Sequence, residues 1–146
     1  MSYRTYIDYG YGVNFGALDI TSDAVKFRKF LEEFAPEVSK SVAKDMLEVG
    51  IKEPEMDDYE EFFEDDFGII GIIKEVLEEY SGLTLFLCTD YDYTKYIIYM
   101  PSYPWQLSER ERKLELTDLD AIFEIINNIL DGTVVEATYQ EVENGG

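Results

Sequence analysis

The chain contains no histidine, which removes the commonest general base, the usual partner in a nucleophilic triad and the usual zinc or iron ligand. Its single cysteine, Cys88, excludes an intramolecular disulfide framework, and within the apolar run LTLFLC it reads as a small buried hydrophobe. There is no GxSxG, no Gly-rich phosphate loop and no CxxC, so the usual signatures of acyl transfer, nucleotide binding and redox chemistry are missing. The opening MSYRTYIDYGYG lacks the apolar core of a secretion signal, and no apolar run approaches the ~18 residues of a membrane span. These absences predict a cytoplasmic protein with no enzymatic activity, no cofactor and no membrane partner.

Positive charge is the scarcest property. Twelve Lys and Arg face 32 Asp and Glu, a formal net charge of −20, against a magnitude of about 2–8 that keeps a small domain soluble. A field of that sign repels nucleic acid and draws in basic proteins. Hydrophobic residues at 46% and aromatics at 15% nevertheless exceed what a disordered acidic tail carries. At 146 residues the chain is expected to fold as one α+β domain, 1–146.

Periodicity supplies the element order. Tyr3, Thr5, Ile7, Tyr9, Tyr11, Val13 and Phe15 alternate as in a strand, with Gly10, Gly12 and Gly16 weakening it or marking a hairpin or bulge. Thr21, Ser22 or Asp23 can cap a first helix, and Pro36 opens a second that Gly50 ends. Pro54 is placed to open a third, with Met56, Tyr59, Phe63, Phe67, Ile70, Ile73, Leu77 and Tyr80 at steps of three and four, so residues 53–80 read as an acidic helical segment that Gly68 and Gly71 can bend or break. LTLFLCT and TKYIIYM, joined by DYDY, read as a hairpin of two central strands. Thr117 is a good cap for a helix carrying Leu119 to Leu130, TVVEATYQEV is a last strand, and 143–146 a tail. The expected fold is a single antiparallel or mixed sheet of about four strands with about four helices, in the order β-α-α-α-β-β-α-β.

The sharpest local feature is EPEMDDYEEFFEDD, residues 53–66, with nine carboxylates in fourteen positions and no base. After Lys113 eight more acids follow, again without a base. A helix over 54–66 would span about 20 Å, and duplex DNA carries roughly 12 phosphates over the same ~20 Å. Carboxylates at that density can occupy a cleft built for nucleic acid. Asp57, Asp58, Glu60, Glu61, Glu64, Asp65 and Asp66 are therefore candidate partner-binding residues. Tyr91, Tyr93 and Trp105, in or beside loops, join them as exposed aromatic anchors. The pair Asp90 and Asp92 could hold a divalent cation, but Asp in a tight turn also bonds its own backbone.

No motif identifies a family. In charge, size and expected fold class the chain resembles the small acidic inhibitors of phages and mobile elements, the anti-restriction and anti-CRISPR proteins that imitate DNA, and also the immunity proteins that neutralise basic nuclease toxins. The resemblance implies a non-enzymatic DNA-mimic inhibitor whose partner is a basic nucleic-acid-binding protein, a nuclease or a CRISPR or restriction effector. An oligomeric adaptor with no catalytic activity is the other class compatible with the exposed tyrosines.

Overall fold

A computed structural model of the chain describes residues 5–64 and 66–145. Four strands, β1 (Thr5–Asn14), β2 (Phe86–Thr89), β3 (Lys95–Tyr99) and β4 (Thr138–Gly145), form one sheet in the order β2-β3-β1-β4, antiparallel throughout. Helices α1 (Ala24–Phe34), α2 (Pro36–Glu48), α4 (Ile69–Ser81) and α6 (Leu116–Glu124) supply the apolar layer, with short turns α3 (Met56–Glu60) and α5 (Glu109–Arg112) between them. This is the expected α+β class and element order. No helix among the described residues is long and apolar enough to cross a membrane.

Local chemistry accounts for most boundaries. Asp23 caps α1 by accepting from the backbone N–H groups of Val25 and Lys26 at 3.0 and 3.2 Å. Ala35 ends that helix because the proline after it excludes the α region, and Pro36 then starts α2 where no N–H is needed. The remaining donors of α2 are met from a distance: Glu79 of α4 accepts from Glu37 and Val38 at 3.3 and 2.8 Å. Phe27, Phe30 and Leu31 of α1, Ile72, Ile73, Val76 and Leu77 of α4, and Phe123 and Ile126 meet Val13 and Ile97 of the sheet, and all are buried.

A second, smaller cluster lies on the other side of the sheet, where Cys88, Tyr96, Ile98 and Val142 are buried together. It exists because the sheet curls. β3 pairs with only Tyr11–Asn14 of β1, so residues 5–10 and their β4 partners form a two-stranded arm. The arm bends back over β2, bringing Asp8 within 3.7 Å of the Cys88 sulfur. Gly12 permits the bend: a Cβ there would stand 2.0 Å from the Ile97 carbonyl oxygen.

Several expectations are corrected. β1 is one strand and not a hairpin, and Tyr3 lies outside the described residues. β2 is an edge strand, not a central one. α6 is capped by Glu115, whose N–H donates to Asp118 at 2.9 Å, instead of by Thr117. The last strand runs through Gly145, so residues 143–145 belong to the sheet and not to a tail. The acidic helical segment 53–80 is not continuous. α3 ends at Glu60 and α4 begins at Ile69, directly after Gly68, whose positive φ of 54° interrupts the helix and whose missing Cβ leaves room for the Glu60 backbone carbonyl, 2.8 Å from where that atom would stand.

Candidate partner-binding surface

Aromatic side chains fix the acidic stretch to the body of the protein. Tyr59 is buried edge-on against Phe27 of α1, ring centroids 4.8 Å apart. Phe62 and Phe63 pack edge to face at 5.0 Å, and Phe63 fills the space beside Gly71. With the rings turned inward, Asp57, Glu60, Glu61, Glu64 and Asp66 are left exposed. Asp58 is half-buried and structural, since its carboxylate accepts from the Glu55 N–H at 2.8 Å and caps α3. Asp65 lies outside the described residues.

The break changes the charge geometry. α3 covers only five residues, about 7.5 Å of helix, so the carboxylates crowd around a turn and do not run as a 20 Å rod. The linear phosphate-like array expected of a helix over 54–66 is not formed by α3. The turn also meets a base that the local sequence lacks: the Lys95 ammonium donates to the Asp66 carbonyl and sits 5.9 Å from the Phe67 ring centroid.

Part of the expected aromatic set joins this surface. Glu64, Asp66, Phe67, Thr89, Tyr93 and Lys95 line one open concavity of about 580 Å³. Tyr93 is 84% exposed, held at a positive φ of 62° in the β2–β3 turn, with exposed Tyr91 two residues before it. Trp105 is not part of it. It lies beyond the opposite end of β3, 76% exposed and stacked on Tyr103 at 5.0 Å with the rings 2° from parallel. The loop carrying that stack is anchored by Glu111, which accepts from Tyr99, Ser102 and Ser108 at 2.8 to 3.3 Å; the Ser102 N–H and the Tyr99 hydroxyl hold its carboxyl down at about 2.

Asp90 serves its own turn. Its carboxylate accepts from the N–H groups of Asp92 and Thr94 at 2.9 and 3.0 Å and from the Tyr96 hydroxyl at 2.8 Å. Burial pushes the Asp90 carboxyl up, but those three donors outweigh it and leave the pKa lowered. Among the described residues no group of three or more His, Cys, Asp or Glu is placed to share a cation. Burial, then the Asp8 carboxylate, pushes the Cys88 thiol up to about 12, so it is not a thiolate at neutral pH.

One set of exposed residues escaped the sequence reading. On the β1–β4 arm Tyr9 and Tyr139 are 61% and 74% exposed, beside exposed Ile7, Glu141 and Glu143. The signal was the alternation in TYQEVE, visible as a strand, but its partner strand lies more than a hundred residues away. No family model matches the chain, and neither a curated protein nor a solved structure is significantly similar to it.

Proposed function

We propose that this protein is a non-enzymatic acidic inhibitor that acts in the cytoplasm by occupying the cationic surface of a nucleic-acid-handling protein, with an anti-restriction or anti-CRISPR role preferred over an immunity role. The observation that carries the reading is the set of exposed carboxylates Asp57, Glu60, Glu61, Glu64 and Asp66, on a stretch with no base of its own, held by Tyr59 and Phe63 and flanked by exposed Tyr93. A rigid polyanion with aromatic neighbours is suited to a Lys/Arg-lined cleft, where it displaces nucleic acid by competing for the same charges. Crowding into a turn suits a compact cationic pocket better than the full length of a duplex channel.

The test is a binding and cleavage assay on purified Cas9 and a type I restriction enzyme. It compares the wild type with a variant carrying Asp57→Lys, Glu61→Lys, Glu64→Lys and Asp66→Lys. Asp58 is left in place because it caps α3. Inhibition of one enzyme that disappears in the variant and weakens steeply with salt supports the reading. Equal behaviour of both proteins, or inhibition insensitive to salt, overturns it for these targets.

A further inference from the structure

The β1–β4 arm has two faces of opposite character. Asp8 and Val142 turn toward Cys88 and Ile98, and Val142 and Ile98 are completely buried there. The opposite face carries the cross-strand pairs Tyr11↔Tyr139, Tyr9↔Glu141 and Ile7↔Glu143. Over Tyr11 the core closes, but Ile7, Tyr9, Glu141 and Glu143 are exposed on a stretch that β3 does not reach, and Tyr139, opposite Tyr11, is exposed beside them. Large apolar side chains gathered on one unpartnered face mark an interaction surface.

Charge selects the occupant. Neither β1 nor β4 contains a Lys or Arg, and the charge of Glu141, which pairs with Tyr9 across the strands, raises the pKa of the Tyr9 phenol. A second copy of this chain would set Glu141 and Glu143 against themselves, and a nucleic acid would be repelled. We propose that this face docks an extended segment of a partner protein with Lys or Arg at alternate positions. Same-face residues on a strand are about 7 Å apart, so Glu141 and Glu143 match the spacing of alternate bases in an extended chain. The aliphatic stems of those bases lie over Ile7 and Tyr9, and a guanidinium meets the exposed rings of Tyr9 and Tyr139. The surface is separate from the acidic turn, and its proof does not depend on the inhibitor reading.

The experiment is an NMR titration of ¹⁵N-labelled protein with two synthetic peptides of equal charge, one alternating Arg and Ser over eight residues and one with four Arg followed by four Ser. The alternating peptide is expected to shift the amides of residues 7–10 and 139–143 and to bind about threefold or more tightly than the block peptide, the scale of one exposed cation–π contact. Tyr9→Ala and, separately, Glu141→Gln should each remove that preference; both positions are exposed, and an unchanged amide spectrum elsewhere verifies the fold. Equal affinity for the two peptides, shifts confined to residues 56–66, or no binding overturns the proposal. Shifts confined to 56–66 would leave the inhibitor reading standing while removing this one.

Discussion

Residues 23–52, which build α1 and α2, carry six acids and six bases; residues 53–66, packed against them, carry nine acids and no base. Both are held by the same kind of contact, aromatic rings turned into one core, and the two meet directly at Phe27 and Tyr59. On the α1–α2 side the exposed charges are interleaved and form pairs such as Arg28–Glu32 at 3.8 Å, Lys40–Glu37 at 3.5 Å and Lys26–Asp131 at 3.3 Å. Such pairs contribute about 0–1 kcal/mol each. Placement is therefore set by the rings and not by the charges, and the fold does not require the neighbouring stretch to be free of bases.

The comparison breaks most visibly at the ring that joins the two regions. Tyr59→Ala should cost about 3–5 kcal/mol in urea unfolding, the range for emptying a large aromatic site. A loss below about 1 kcal/mol would mean the acidic turn is not anchored to α1. Gly68→Ala is expected to cost about 1–3 kcal/mol, through the positive φ and the Glu60 carboxylate that occupies the Cβ position. A thermal melt as stable as wild type would contradict the geometry given for the break.

Glu111 sharpens the contrast between acids with donors and acids without. Its folded pKa of about 2 lies below the ordinary glutamate value of about 4.3. The carboxylate therefore stabilises the fold fully above pH ~4.3 and loses that contribution as pH falls toward 2. Glu111→Gln should cost about 1–2 kcal/mol at neutral pH, and acid titration of the variant should show a flatter loss over that window. Identical acid limbs would mean the loop of residues 100–108 is not held by that carboxylate.

The smallest effect is a direct exchange between the two regions. Glu61→Lys faces Asp57 one turn earlier and should stabilise the protein by about 0.3–0.5 kcal/mol at low salt. Glu33→Lys, in the mixed α1 surface, should change little. In 1 M salt, where the screening length is about 3 Å, the two variants should converge. A difference that persists in high salt would assign the effect to packing.

The sequence was a good guide wherever one residue type acts on its neighbours. Asp23, Pro36 and the β2–β3 turn work through local backbone chemistry, and the element order followed from them. It was a poor guide where the deciding contact is distant. The apolar stripe runs almost uninterrupted through residues 56–80, and Gly68 and Gly71 marked where it could bend or break; that the break falls at Gly68, against Glu60, depends on contacts the stripe does not show. The cap that Glu79 provides for α2 lies some forty residues from its donors. The acidic turn was legible as composition, but its company was not. Lys95 reaches it across 29 positions, and Trp105, grouped with Tyr93 by residue type, lies at the other end of the strand.

The pairing of β1 with β4 has a consequence for how the protein is made. β1 leaves the ribosome well before β4, and at about 5–20 residues per second the wait between them is on the order of ten seconds. Throughout it the backbone of β1 residues 5–10, which β3 does not reach, has no partner strand. The nine carboxylates of residues 53–66 emerge in the middle of this interval. A nascent chain carrying them repels its own copies on neighbouring ribosomes, so the charge of that stretch acts against self-association during synthesis.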